Sequence, residues 1–378
     1  MSHKQKSIVI TFLGNADQDS RVVNLIDSFS KLNYSVQTIS FDWKTENFKP
    51  RVGKTNIYKL EKSNSSLKFY FTFFYLLIRD LIKYKADIYF SEDVYTLPVT
   101  YFFAKFNKSK IFYNSREIYA HLAGLRNKSK VQSIIAKIES SFIKKVDNVF
   151  VTGDMDKEFL EEKYQLKNIL VLRNLPKYKN NFEVIDLRNM LDISINDKIL
   201  LYQGVLLEGR GISKLIKLFD KINNAHFVII GDGEFKSKFE TEAKLLGMQN
   251  KVHFLGSINH NALLSYTASA DLGLALIENI SLSYYYALPN KIFEYIMAEV
   301  PVVCSSLPQM KNIVDNYKIG KYVDADNEGE IINTINNLIS DERLLMVFKQ
   351  NCKTAREELN WEKEFEKIVV KLNLDKNK

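Results

Sequence analysis

Cysteine is almost missing from this chain of 378 residues, which has Cys304 and Cys352 alone. They stand in separate segments without metal-ligand spacing, so a disulfide framework and a zinc-finger module are excluded, and a reducing cytoplasm fits. Tryptophan is as scarce, at two residues, beside 25 Phe and 20 Tyr; the bulky packing must come from rings that are apolar or carry one polar edge. No unbroken membrane-length apolar run occurs: the longest tract, Leu67 to Lys85, is interrupted by Arg79 and Asp80, short of the ~20 apolar residues a span requires. The N-terminal "MSHKQKSIVITFLG" has a basic start, but its apolar run is short and leads straight into Gly14 and Asp17. It reads as a first strand rather than a signal peptide, which would need a small-residue cleavage site. Absent too are a G-x-G-x-x-G after that strand and a Walker A loop, the usual dinucleotide and P-loop signatures. No D-x-D ends a strand in the second half, and Asp324 and Asp326 read as a polar turn. The chain is therefore expected to use neither a metal nor a cofactor.

What is present is length, apolar content and positive charge. A chain of this size exceeds one ordinary core and calls for two domains. The 53 basic against 45 acidic side chains leave a formal +8, favouring anionic partners. Without a basic low-complexity tail, nucleic acid is not among them. Aromatic residues meeting Lys68, Lys83 and Lys85 in one segment fit either an ordinary buried helix with charged ends or a peripheral contact with an anionic membrane surface.

Short β-branched or aromatic runs alternate with longer helical patterns along both halves. Strands are expected at Ile8 to Leu13, Val36 to Ser40, Asn56 to Leu60, Ile88 to Ser91, Lys110 to Asn114, Val149 to Thr152 and Ile169 to Leu172. Helices fill the intervals, among them 20–32, 67–83, 97–106, 131–144 and 155–164. The pattern fades over 176–196 and restarts at "DKILLYQG", followed by "HFVIIG", "KVHFLG", "LGLAL", "VPVVCS" and "IGKYV". This order predicts an α/β protein with two mainly parallel sheets. The expected division is a first domain over 1–175, a linker over 176–196, a second domain over 197–358, and a helix over 359–378 for which a return to the first domain and a plain surface helix are equally open. Parallel sheets bind ligands beyond the C-terminal ends of their strands, and two such halves offer a cleft.

Candidate site residues gather at those strand ends. In "LLYQGVLLEGRG", Gly204 ends a strand and Gly209 and Gly211 bracket Arg210 ahead of a helix whose free amides suit a phosphate. Such a guanidinium can form paired bonds to a pyrophosphate. "VIIGDGE" places Gly231 and Gly233 after the next strand. The backbone of His253, Phe254 and Leu255 is suited to reading a base edge. In "ALPNKIFEYIMAEVPVV", Pro289 enters a helix whose first turn carries Asn290, Lys291 and Glu294. Capping explains Asn290 but gives no reason for Lys291, a cation at the positive end of a helix. In the first half, "GNADQDSRV" lets the Gly14 backbone approach a ligand, with Asn15 and Asp19 in the same turn. "IFYNSREIYAHLAG" contributes Arg116, Glu117 and His121.

Taken in order, "GVLLEGRG", "VIIGDGE", "VHFLG", "ALPNKIFEYIMAEVPVV" and "IGKYVDADN" resemble family 4 of the glycosyltransferases, and "GNADQDSRV" with "VLRNLP" is similar to the same family's first domain and crossover. The resemblance implies the GT-B fold: two Rossmann-like domains facing across a cleft, the first binding acceptor and the second a nucleotide sugar such as a UDP- or GDP-sugar. It implies retaining transfer to a glycan or polyprenyl-linked glycan, in capsule, O-antigen or related surface-polysaccharide synthesis; the basic, aromatic 67–85 segment adds the expectation of a cytoplasmic enzyme resting on the inner membrane. Arg210 matches the second of the family's basic pair, whereas Val205 stands in the first position. Glu294 matches the second of its two acidic residues, and Tyr286 stands in place of the first. Lys291 is expected to supply the missing charge and Tyr286 a sugar contact. Arg116 occupies the place of a family histidine, where it suits an acidic acceptor or a leaving phosphate. A sugar-nucleotide epimerase or hydrolase, and a catalytically weak carbohydrate-binding scaffold, are the alternatives. Donor sugar and oligomeric state stay open at this point.

Overall fold

A computed structural model describes residues 5–43, 50–61 and 66–375. The basic start at residues 1–4 and the last three residues of the expected C-terminal helix lie outside the described residues. The chain forms two compact units, one made of Met1–Asn174 with Glu364–Lys378 and the other of Leu175–Lys363.

In the first unit seven strands, β1 (Ser7–Phe12), β2 (Ser35–Asp42), β3 (Thr55–Lys59), β4 (Ile88–Ser91), β5 (Lys110–Ser115), β6 (Asn148–Val151) and β7 (Ile169–Val171), form one sheet in the order β3-β2-β1-β4-β5-β6-β7. All its ladders are parallel. The side-chain period of two sends Val9, Tyr89, Ile111 and Val149 to one face, where they share a core with Phe73, Leu77 and Leu81 of the Ser66–Lys83 helix. Phe90, Phe112 and Phe150 pack together on the opposite face, edge to face or tilted. There Phe29 bridges Phe90 and Phe365, the latter on the C-terminal helix Trp361–Leu372. Both faces are thus covered, which is why the strands read as nearly continuous apolar runs.

In the second unit β8 (Lys198–Gln203), β9 (Ala225–Ile230), β10 (Val252–Gly256), β11 (Leu272–Ala275), β12 (Val302–Ser305) and β13 (Gly320–Val323) pair in parallel in the order β10-β9-β8-β11-β12-β13. Residues 176–196, read from sequence as a linker, are packed on this unit. Arg188, in a one-turn helix Leu187–Met190, bonds Asp271 at 2.6 Å, and the Ile185 amide donates to the Ser265 carbonyl. In each sheet the order reverses once, between β1 and β4 and between β8 and β11. Connections diverge to opposite sides there and leave a crevice beyond the strand ends.

Candidate active site

The C-terminal ends of β8 and β9 are in backbone contact. Gly204 donates its amide to the Ile230 carbonyl at 2.9 Å, and a Cβ on Gly231 would collide with the Gly204 carbonyl oxygen. Gly231 also sits at φ 141°, a conformation closed to other residues. Gly233 packs as tightly on the Leu206 backbone. Gly211, at φ 75°, caps the Ile212–Leu218 helix and lies against the Leu276 carbonyl, while Gly209 accepts the Glu278 amide and packs beneath Ile280 and Tyr284. These glycines hold the loops after β8, β9 and β11 together.

Arg210 is half-buried, its guanidinium 4.5 Å from the centre of the Tyr284 ring. A cavity of about 250 Å³ opens beside it, lined by Gly211, Lys214, Phe235 and Lys238 among others; Lys291 and Glu294 do not line it. Lys291 is only 7% exposed and lies next to Gly204, with its Nζ 3.4 Å from the centre of the Tyr202 ring. Burial, reinforced by Arg210 and opposed by Glu294, holds the Lys291 ammonium well below the usual lysine range. Glu294 accepts a 2.5 Å bond from the Gln203 amide, and the buried Thr267 hydroxyl donates to Gln203 Oε1 at 2.7 Å. Tyr202, Gln203 and Thr267 were not legible as site residues; polar groups at a strand end and inside a helix announce nothing until their partners are known.

The remaining residues expected at the donor side are placed as follows. Val205 is exposed, at 59%, and supplies no charge. The Tyr286 carbonyl accepts the Gln309 amide at 2.5 Å. Pro289 is the N-cap of the Asn290–Met297 helix, and Asn290 is exposed. The His253 imidazole meets His226 at 2.9 Å, with His226 3.4 Å from Asp197, so its side chain belongs to a pair between neighbouring strands. Phe254 packs on the core. Leu255 falls where the β9–β10 register shifts, in an edge strand, so its backbone leaves the regular ladder.

In the first unit the expected acceptor loop is largely occupied by its own bonds. Asn15 donates to Asp42 and accepts from the Asp17 amide, and the Gly14 carbonyl accepts from Phe41. Asp19 caps the Ser20–Lys31 helix through the Val22 amide and pairs with Arg116 at 2.6 Å. Burial pushes the Asp19 carboxyl up, but Arg116 and these bonds outweigh it and leave it below the usual range. Arg116 lies 4.8 Å over the Phe12 ring. Asn15 and Asp19 thus build this loop and hold Arg116. Glu117 is exposed. His121 sits in the short Tyr119–His121 helix with its ring edge-on to Phe159; burial and then Lys163 lower its pKa. Glu92, Arg21 and Asn114, buried beside Arg116, went unrecognised in the sequence.

Comparison with known proteins agrees with this architecture. Residues 184–355 match the family model for glycosyl transferases group 1. Over 162 residues the chain is 30% identical to the uncharacterized glycosyltransferase MJ1607 of Methanocaldococcus jannaschii, covering 42% of this chain and 40% of that protein. Over 196 residues it is 24% identical to the N-acetylgalactosamine-N,N'-diacetylbacillosaminyl-diphospho-undecaprenol 4-alpha-N-acetylgalactosaminyltransferase of Campylobacter jejuni, covering half of each. The chain thus matches half or less of the length of these relatives. The crystal structure of HepE from Anabaena in complex with UDP-glucose superposes with a TM-score of 0.73 over 97% of this chain and 99% of that one, at 14% identity. The fold is GT-B, built of two Rossmann-like units, as the family resemblance implied.

Proposed function

We propose that this chain is a retaining, metal-independent glycosyltransferase that moves a sugar from a nucleotide-diphosphate sugar to a hydroxyl of a glycan or polyprenyl-linked glycan. One observation carries the reading. Arg210 and Lys291 converge at the β8 strand end, and among the described residues neither has a carboxylate within ion-pair distance. Two like charges at a crevice, one of them buried, are destabilising until an anion arrives. A diphosphate answers both, and the match to glycosyl transferases group 1 together with the fold shared with a UDP-glucose complex makes a nucleotide sugar the natural source.

In this reading Arg210, Lys291 and the amides opening the Ile212–Leu218 helix stabilise charge on the departing diphosphate. Glu294, fixed by Gln203, accepts from the ribose, and the backbone of His253 to Leu255 meets the base. The acceptor hydroxyl attacks from the face the leaving group vacates, and the departing β-phosphate takes its proton. Arg116 orients the acceptor.

The test is donor binding by calorimetry across a panel of UDP- and GDP-sugars. Arg210→Ala and Lys291→Met are each expected to weaken the best donor by roughly 10- to 100-fold, the loss of a charge-assisted bond of about 1.5–3 kcal/mol. Unchanged affinity in both variants rejects the reading. Donor turnover without any acceptor would favour the epimerase or hydrolase instead.

A membrane surface is part of the same proposal. The Ser66–Lys83 helix exposes Leu67, Phe71, Tyr75, Ile78 and Ile82, and Phe102 and Phe106 are exposed on the neighbouring Leu97–Phe106 helix. Together with the adjacent Ser129–Phe142 helix these elements carry two acidic residues, Asp80 and Glu139, both buried. Lys68, Lys83, Lys105, Lys130 and Lys137 are exposed. An apolar stripe edged by cations alone fits anionic lipid. Among the described residues no helix is long and apolar enough to cross a membrane.

A further inference from the structure

Beyond the ends of β1, β4 and β5 the first unit holds a buried charge cluster of which the transfer reading uses only Arg116. Glu92 follows β4 and is fully buried. Asn114 Nδ2 lies 3.2 and 3.1 Å from its two oxygens, and Arg116 Nε lies 4.0 Å from Oε2. The other end of the Asn114 amide accepts from Arg21 at 3.3 Å; Arg21 is buried too, and its Nε has no hydrogen-bond partner. Asp19 closes the cluster through Arg116. The buried Tyr119 is the further titratable group facing both arginines. Asp93, adjacent in sequence, is taken up by the amides of Leu13, Tyr95 and Thr96. Arg116 is the accessible cation of the group, 17% exposed where Arg21 is sealed.

With Glu92 and Asp19 ionised, the two arginines are matched by their nearest carboxylates, and Asp93 adds a further negative charge felt by Arg116. A proton on Glu92 removes one of the counter-charges around the arginines, and the guanidinium whose charge this uncovers to solvent is Arg116. An anion docking there therefore competes with Glu92 for the same partner, and the two equilibria are linked. We propose that Glu92 is a positioning residue for Arg116 and couples anion binding to a proton: as an anionic group of the acceptor docks on Arg116, the Glu92 carboxylate gives up the guanidinium and takes one proton from solvent. Burial already pushes the Glu92 carboxyl up to about 7, against the pull of Arg116 and Arg21, so the step lies within reach at neutral pH. The inference rests on the reading of the first unit as the acceptor side, and its test needs neither donor nor transfer.

The probe is inorganic sulfate, doubly charged throughout the range used, titrated into the full chain at about pH 6 and about pH 8. Subtracting the isotherm of Arg116→Ala removes any sulfate bound at Arg210 and Lys291. The Arg116-dependent affinity of the unaltered protein is expected to fall about fivefold from the lower to the higher pH, within the tenfold limit that one proton sets per pH unit. Glu92→Gln, permanently neutral, is expected to bind at both pH values as the unaltered protein does at the lower one. A structural role for Glu92 would change thermal stability and leave this slope alone. A slope that persists in Glu92→Gln, a pH-independent affinity in the unaltered protein, or an isotherm indifferent to Arg116→Ala each overturns the proposal. Should Glu92→Gln fail to fold, the unaltered protein still decides. Titrations near pH 7 in buffers of different ionisation heat should show uptake of about half a proton per Arg116-bound sulfate, and none would refute the coupling. Loss of donor binding would reject the transferase reading while leaving the sulfate result intact, so the two failures are distinguishable.

Discussion

Gln203 shows how a single residue can organise the donor side while carrying no signal of its own. It lies at the last position of a buried strand, takes a bond from Thr267 at one end of its amide and gives one to Glu294 at the other. Its geometry therefore fixes which carboxylate oxygen of Glu294 remains for a ligand. In Gln203→Leu, the Thr267 hydroxyl proton can turn to the Leu263 carbonyl, 2.8 Å away, but Glu294 loses its anchor. Donor affinity is expected to drop roughly tenfold, with stability reduced by about 1–2 kcal/mol, the usual result of deleting one partner of a part-buried bond. Calorimetry with the best donor and a thermal melt measure the two; unchanged donor affinity would mean that Glu294 needs no positioning. The glycines were legible in the sequence because a strand entering Gly has few physical explanations. Gln203 was not, since its meaning depends on Glu294, 91 positions away. Arg116 and Asp19 were singled out, but not as a pair, and the fold adds their neighbours Asn114 and Arg21 together with Glu92 from a separate strand end.

At the scale of elements the alternation of strand and helix was legible because both faces of each sheet are covered, so every strand is an apolar run bounded by polar turns. The boundaries of the sheet strands fell within a residue or two, as at β4, where the expected and observed limits coincide, whereas the C-terminal helix, expected over 359–378, ends at Leu372. The Ser66–Lys83 helix is the instructive exception. Phe73, Leu77 and Leu81 face the core, while Leu67, Phe71, Tyr75, Ile78 and Ile82 fall on the outside at spacings of three and four. With apolar residues all round, its pattern had no polar stripe from which to tell the inner face from the outer. The outward stripe gives the proposed membrane contact specific residues. Phe71 is 76% exposed and Phe106 81%; replacing both by Ser removes apolar surface without opening the core. The double variant is expected to melt within about 0.5 kcal/mol of the parent, as surface substitutions do. Its binding to vesicles rich in anionic lipid at low salt should fall at least tenfold, on the order of 1.5–3 kcal/mol for each large apolar side chain kept from lipid. Equal vesicle binding by variant and parent in a sedimentation assay would rule out this face as the contact.

On the scale of the whole molecule the first unit is discontinuous in sequence: the chain leaves it at Asn174 and supplies its last part from Glu364 onward. The join is electrostatic as well as apolar. Glu364, buried, accepts from the Arg173 backbone amide at 3.0 Å and from its guanidinium at 2.9 and 2.8 Å, while Phe365 packs on Phe29 and Tyr34 reaches the Leu374 carbonyl. Burial pushes the Glu364 carboxyl up, but the bonds and charge of Arg173 outweigh it, so its pKa lies below the usual glutamate range. A carboxylate depressed on folding adds stability that is fully present above its unfolded pKa of about 4.3 and is lost as pH falls through the lower folded value. Arg173→Ala leaves the buried Glu364 carboxylate only the residue-173 backbone amide and Lys367, 3.2 Å away, and is expected to destabilise the first unit by about 1.5–3 kcal/mol at neutral pH. Because a two-unit chain need not melt in one step, the quantity to follow is the transition that shifts in this variant. Its gap from the parent should narrow as pH drops below about 4, where Glu364 becomes protonated and no longer needs the guanidinium. A gap that stays constant down to acid would show that Arg173 contributes by packing, and that the helix returns to this unit on its apolar face alone.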